Sequence, residues 1–168
     1  MATKLHQAKR PVSLLAGPYG HPFHPILVTV PIGAWVASFV FDLASRLSGE
    51  PVVFAKGAFW LIGLGLAGAA AAAMLGFLDL FAIPTGTRAF RTGLLHMSLN
   101  LVVVAVYLGA FLLRRDRLEQ PGGVPTGLIV LSAAALLVLG VAGWLGGRLA
   151  FHHGVRVADE STQAEAYR

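Results

Sequence analysis

The sequence predicts an all-α fold, a polytopic membrane protein built as an antiparallel four-helix transmembrane bundle. Three observations predict it. Four apolar runs carry at most one charged residue each, and each is close to the ~20 residues a helix needs to span a bilayer. Only 12% of the 168 residues are charged and 56% are hydrophobic, with mean hydropathy +0.71; a soluble domain carries about 25% charged residues. The runs also lack the apolar–polar alternation of a lipid-facing barrel, which leaves helices as the way to satisfy every backbone group in hydrocarbon.

The first run extends from about Pro25 to Leu43. Pro25 suits a helix start, where its missing N–H is not needed, and Pro31 in the second turn is expected to bend the helix. Asp42 and Arg46 mark its far end, and their i, i+4 spacing predicts an ion pair between them. The second run, from about Gly57 to Ile83, is stopped by Pro84 and is almost entirely Gly and Ala in its middle. Small residues there predict close helix–helix packing. The third runs from Thr92 to Leu113 and ends in Arg114-Arg115-Asp116-Arg117. The fourth runs from about Thr126 to Ala150 and contains Gly143-Trp-Leu-Gly-Gly147. No internal repeat is evident. The chain thus divides into a basic N-terminal tail (1–20), a four-helix transmembrane domain (21–157) and a polar C-terminal tail (158–168) that is expected to fray.

The N-terminal tail lacks the long apolar stretch of a cleavable signal and is read as retained. The absence of cysteine excludes disulfides, thiolate metal sites and iron–sulfur ligation. The net charge of +5 in so apolar a chain points to anionic headgroups, so the bilayer is the expected partner and nucleic acid is not. With the N-terminus on side A, both termini and the loop 84–91 share that side. Side A then holds eight Lys and Arg and side B five, a lean towards cytoplasmic termini under the positive-inside rule. The soluble-enzyme signatures are missing: no Gly-x-Ser-x-Gly elbow, phosphate loop or His-Glu-x-x-His. No catalytic activity of its own is expected.

The strongly polar intramembrane candidates gather near side A. Asp79, five residues before Pro84, and His96, five residues after Arg91, each lie roughly 7 Å inside the interface at ~1.5 Å rise per residue. Their helices are joined by a short loop, so they are expected to come close. Asn100 lies one turn beyond His96 on the same face, and Trp144, Arg148 and His152 share a face at i, i+4, i+8. His21 and His24 sit in Gly20-His-Pro-Phe-His-Pro25, whose prolines predict a stiff extended loop.

Two cofactor chemistries suit this cluster. Haem b takes axial histidines from facing helices; His96 with His152 or His24 supplies a pair, and Arg88, Arg91 or Arg148 can meet propionates near the interface. The histidines lie on one side only, which limits the bundle to one haem. A transition-metal ion held by His96, His24 and His152, with Asp79 orienting a ligand, is the second. The structural alternative is that Asp79 and His96 hydrogen-bond each other to lock two helices, while His21 and His24 cap the first helix and His152 and His153 sit at the interface.

Gly20-His-Pro-Phe-His-Pro25 with Pro31-Ile-Gly33, Gly76-Phe-Leu-Asp79 with Ile83-Pro84, His96 with Asn100, and Gly143-Trp-Leu-Gly-Gly147 leading to His153-Gly-Val155 resemble the bacterial predicted membrane proteins grouped as domain-of-unknown-function family 2231. The resemblance runs from about Gly20 to Val157. It implies a four-helix domain of the bacterial cytoplasmic membrane. Some members resemble fusions to Rieske iron–sulfur domains, which implies electron transfer; here a Rieske partner would be a separate protein. The functional expectation is therefore a small haem- or metal-binding redox subunit, able to form an oligomer. The alternatives are a non-catalytic membrane scaffold or accessory subunit, or an ion or proton pathway through Asp79 and His96.

Overall fold

A computed structural model describes residues 2–118 and 122–168; three positions of the side-B loop, 119–121, lie outside the described residues. The order is α1 (Ala2–Lys9), a 3-10 turn (Leu14–Ala16), α2 (His24–Leu27), α3 (Thr29–Leu47), α4 (Pro51–Ala82), α5 (Arg88–Arg115), α6 (Thr126–Gly147) continued by a π-helical turn (Arg148–His152), and α7 (Glu160–Ala164) followed by a last 3-10 turn (Glu165–Tyr167). No strand occurs among the described residues. Four helical stretches are long and apolar enough to cross a membrane: His24–Leu47, Pro51–Ala82, Arg88–Arg115 and Thr126–His152.

The helix ends follow local chemistry. The break between α2 and α3 falls at Val28, beside the place where Pro31 lacks the N–H that would reach the Leu27 carbonyl. α4 stops at Ala82 because Pro84 holds Ile83 extended. The Thr87 hydroxyl accepts the Phe90 N–H at 3.1 Å and caps α5.

Glycines set the packing register. Gly57 lies under Phe41, Gly65 under the Trp35 indole, Gly68 under Val30 and Pro31, and Gly76 under His24. Numbers rise along α4 as they fall along α3, so the two helices run in opposite directions. Gly63 against Phe111 and Gly93 against Leu80 set α5 antiparallel to α4 in the same way. Such close approach is what joins helices in lipid, where apolar burial gives no preference for helix over tail.

Going round the bundle, α4 lies beside α3 and α5, and α6 beside α5 and α3. Helices α3 and α5 face each other diagonally and meet through long side chains. Along that diagonal Trp35 stacks on Tyr107, ring centroids 4.3 Å apart and planes at 7°. Asp42 pairs with Arg114 towards side B, and His24 faces His96 towards side A. Each pair is separated by the same 72 positions: 24 and 96, 35 and 107, 42 and 114. The hairpin of α2–α3 with α4 and the hairpin of α5 with α6 therefore repeat one another about the bundle axis, each central residue meeting its counterpart. The repeat is not evident in the sequence because two of the three pairs, Trp35 with Tyr107 and Asp42 with Arg114, are unlike residues. Around Trp35 and Tyr107, buried Ile62, Ala69, Val103 and Ala135 form an apolar middle layer.

The two tails pack together over side A. The Arg156 N–H donates to the Ala8 carbonyl at 2.9 Å. Buried Lys9 donates to the Ala158 carbonyl at 3.2 Å and lies 3.5 Å from the Glu160 carboxylate. The Tyr19 hydroxyl donates to Asp159 at 2.8 Å. A backbone amide, and then Lys9, hold the Glu160 carboxyl below its ordinary value. The start of the C-terminal tail, residues 158–160, is thus held by the N-terminal segment, while residues 161–168 are exposed.

Gly65→Leu forces a branched side chain into the Trp35 indole and is expected to lower stability by about 1–3 kcal/mol, as overpacking of a filled core does. Gly109→Ala adds its Cβ to open space and is expected to raise stability by about 0.5–1 kcal/mol, the preference of a helix interior for Ala over Gly. Thermal unfolding of the detergent-purified variants checks both.

Candidate functional site

His24 is the first residue of α2, so it is presented by a helix end rather than by the extended loop the prolines suggested. Pro25 begins the helix instead of preventing it, since a first-turn residue needs no N–H partner. The His24 Nδ1 lies 2.8 Å from the Ala72 carbonyl of α4, and its ring covers Gly76, one turn further along α4. His96 repeats the arrangement: Nδ1 lies 2.8 Å from the Ala142 carbonyl of α6, and the ring covers Gly146. A carbonyl only accepts, so in both rings Nδ1 donates and the lone pair of the neutral imidazole resides on Nε2. The two rings lie across the seam between the hairpins, centroids 6.3 Å apart and planes at 88°. Both side chains are half-buried. The Asn100 amide donates to the His96 main-chain carbonyl at 2.8 Å and lies 3.4 Å from both ring nitrogens, which steadies the ring.

Asp79 lies one turn beyond Gly76 and engages Arg156, 2.7 Å from carboxylate oxygen to Nε, not His96. Arg156 is buried, and its Nη2 donates to the carbonyls of Ala16 and Gly17 at 2.9 Å each. Its backbone takes φ +61°, a region that disfavours side chains. The main-chain bond to Ala8 and the guanidinium contacts hold it there. Sequence reasoning counted Arg156 only as one side-A charge. The signal that finds it is the need of an intramembrane acid for a partner, with Arg156 the first cation after the fourth span.

His152 is exposed and lies edge-on to His153 at 5.0 Å, away from His96. The π-helical turn is the cause: the His153 N–H reaches back five residues to the Arg148 carbonyl, and the extra residue rotates His152 off the face of Trp144 and Arg148. Those two do meet, the guanidinium 5.6 Å from the indole. Burial and the neighbouring cations push the His153 imidazole below its ordinary value. His21 is exposed, with Nδ1 3.4 Å from the Tyr19 carbonyl. Arg88, Arg91 and Arg148 are exposed at the side-A rim. The structure therefore brings together His24, His96 and Asn100, with Asp79 one turn away, and leaves His21, His152, Arg88 and Arg148 apart from them. Among the described residues, no three His, Cys, Asp or Glu side chains are grouped to hold a metal ion.

Side B holds a second polar cluster, which corrects the expectation that strongly polar groups gather at one face. Asp42 is fully buried, and both its oxygens accept from the Arg114 guanidinium, at 2.5 and 2.8 Å. The Ser132 hydroxyl adds a 3.3 Å contact from α6. The expected partner Arg46 turns outward and donates to the Val124 carbonyl at 2.7 Å and to Thr126 at 3.1 Å. Arg114 meets the carboxylate in two bonds from across the bundle, while the Arg46 guanidinium is taken up by the segment before α6.

A family model described as "Predicted membrane protein (DUF2231)" matches residues 20–159. The chain belongs to this family. No curated protein and no solved structure matches it. The DUF2231 region takes in all four spanning helices, both buried ion pairs and the histidine pair, and leaves out α1 and most of the C-terminal tail.

Arg156→Gln leaves Asp79 without its cation and is expected to lower stability by about 3–5 kcal/mol, the usual penalty for breaking a buried pair from one side. Adding Asp79→Asn removes the orphaned charge, and the double variant is expected to recover part of that loss. A thermal-unfolding double-mutant cycle measures both.

Proposed function

We propose that this integral membrane protein is a small electron-transfer subunit with one redox centre ligated by His24 and His96, and that the centre is haem b. One observation carries the reading: two equivalent imidazoles, one from each hairpin, face each other with Nδ1 fixed on a main-chain carbonyl. That tether is how proteins orient metal-ligating histidines, since it leaves Nε2 free for the metal. Bonds from a metal to imidazole nitrogen are about 2 Å long, so two rings on opposite sides of one ion have centres about 6 Å apart. The observed 6.3 Å fits. A pair of protein ligands also suits haem better than zinc, which takes three or four. Gly76 and Gly146 give the two rings room to lie against α4 and α6, where any side chain would displace them.

The resemblance to a family with Rieske-fused members supports a Rieske-type partner and a bacterial cytoplasmic membrane, and the excess of Lys and Arg on side A supports cytoplasmic termini. The proton-path reading has less support. His96 and Arg114 lie about 27 Å apart along α5, and the apolar layer around Trp35, Ile62 and Val103 stands between them.

The test is a reduced-minus-oxidised absorption spectrum of detergent-purified protein from haem-replete cells, with iron and trace-metal analysis of the same sample. A Soret band and a sharp α band are expected, lost in His24→Ala and in His96→Ala and kept in His152→Ala. Circular dichroism and gel filtration show whether the variants stay folded. A colourless, metal-free protein overturns the reading and leaves the two imidazoles as ties between helices.

A further inference from the structure

A groove of about 370 Å³ opens at the side-B ends of α3, α5 and α6. Three guanidinium side chains line it: Arg46, Arg114 and Arg117. Aliphatic residues, among them Ala55, Pro125 and Leu128, make up much of the remaining wall, and no acidic side chain lines it among the described residues. Arg114 is 4% exposed, and after its two bonds to Asp42 its Nε still has no hydrogen-bond partner. A buried donor left without an acceptor is unfavourable by about 1–3 kcal/mol, so an occupant that accepts there is favoured. Asp42 neutralises Arg114, and among the described residues that line the groove no acid balances Arg46 or Arg117.

We propose that this groove binds the phosphate of an anionic phospholipid. Guanidinium groups match phosphate oxygens in charge and in fork geometry. The groove lies where the spanning helices end, at the level of the headgroups, and its aliphatic wall suits the glycerol and upper acyl chain. A free phosphate would use the cations but not that wall. The proposal is independent of any redox role for the histidines.

Native mass spectrometry of the full chain in detergent, with added phosphatidylglycerol or phosphatidylcholine, tests it. Phosphatidylglycerol is expected to be retained preferentially. Arg117→Gln is expected to weaken that retention about fivefold, the effect of one basic residue near a headgroup. Arg115→Gln removes the same charge from the same helix end, but Arg115 does not line the groove, and this variant is expected to keep the preference. Circular dichroism and gel filtration establish that both variants are folded. Equal retention of the two lipids, or equal losses in Arg115→Gln and Arg117→Gln, overturns the proposal. Inorganic phosphate alone raising the thermal midpoint as far as phosphatidylglycerol does overturns the lipid assignment.

Discussion

The pairing of Asp42 with Arg114 governs how the two halves of the bundle meet. Both groups are buried in the protein near the side-B ends of their helices, and leaving either one without its partner is unfavourable by about 3–5 kcal/mol. Each of these residues therefore needs the other. Two copies of the first hairpin would set Asp against Asp, and two of the second Arg against Arg, so the pair selects the hetero-combination within one chain. It also selects the register. A shift of one residue turns a helix face by about 100° and would separate the carboxylate from the guanidinium, and with them Trp35 from Tyr107 and His24 from His96.

The opposite end uses the same device differently. Asp79 is neutralised by Arg156, a residue beyond the last span whose guanidinium also gathers the carbonyls of Ala16 and Gly17. One cation thus anchors a helix end, the chain preceding α2 and the C-terminal segment at once. The bundle is pinned by a buried ion pair at each end, with an apolar layer between. Within that frame His24 and His96 differ from the other buried polar groups. Each gives one ring nitrogen to packing and keeps the other, which is why they carry the functional reading and the ion pairs do not.

Spans and helix ends were legible because their causes are local: apolar length, Pro84 and the Thr87 cap act within a few residues. That Asp79 and His96 lie towards the side-A ends of α4 and α5 was legible by counting residues. Their partners were not. Arg46 stands four residues from Asp42, but it points towards the loop before α6, and the true partner lies 72 positions on. Arg156 is equally remote from Asp79. The face assigned to Trp144, Arg148 and His152 assumed an unbroken α-helical period, and one π-helical turn moved His152 off it. The repeat was hidden because the residues that meet on the axis are complementary, not alike: Trp35 with Tyr107, Asp42 with Arg114. The one matched pair, His24 with His96, was named as a candidate from residue type alone, without the offset that relates it to the others.

The electron paramagnetic resonance spectrum of the oxidised, detergent-purified protein tests the histidine pair most directly. Ligation by both halves of the bundle predicts a low-spin ferric signal, with couplings to two imidazole nitrogens resolved by pulsed measurement, converted to a high-spin signal or lost in either His24→Ala or His96→Ala. A folded protein with no ferric signal, or a low-spin signal that survives both substitutions unchanged, would contradict a metal centre at the point where the two hairpins meet.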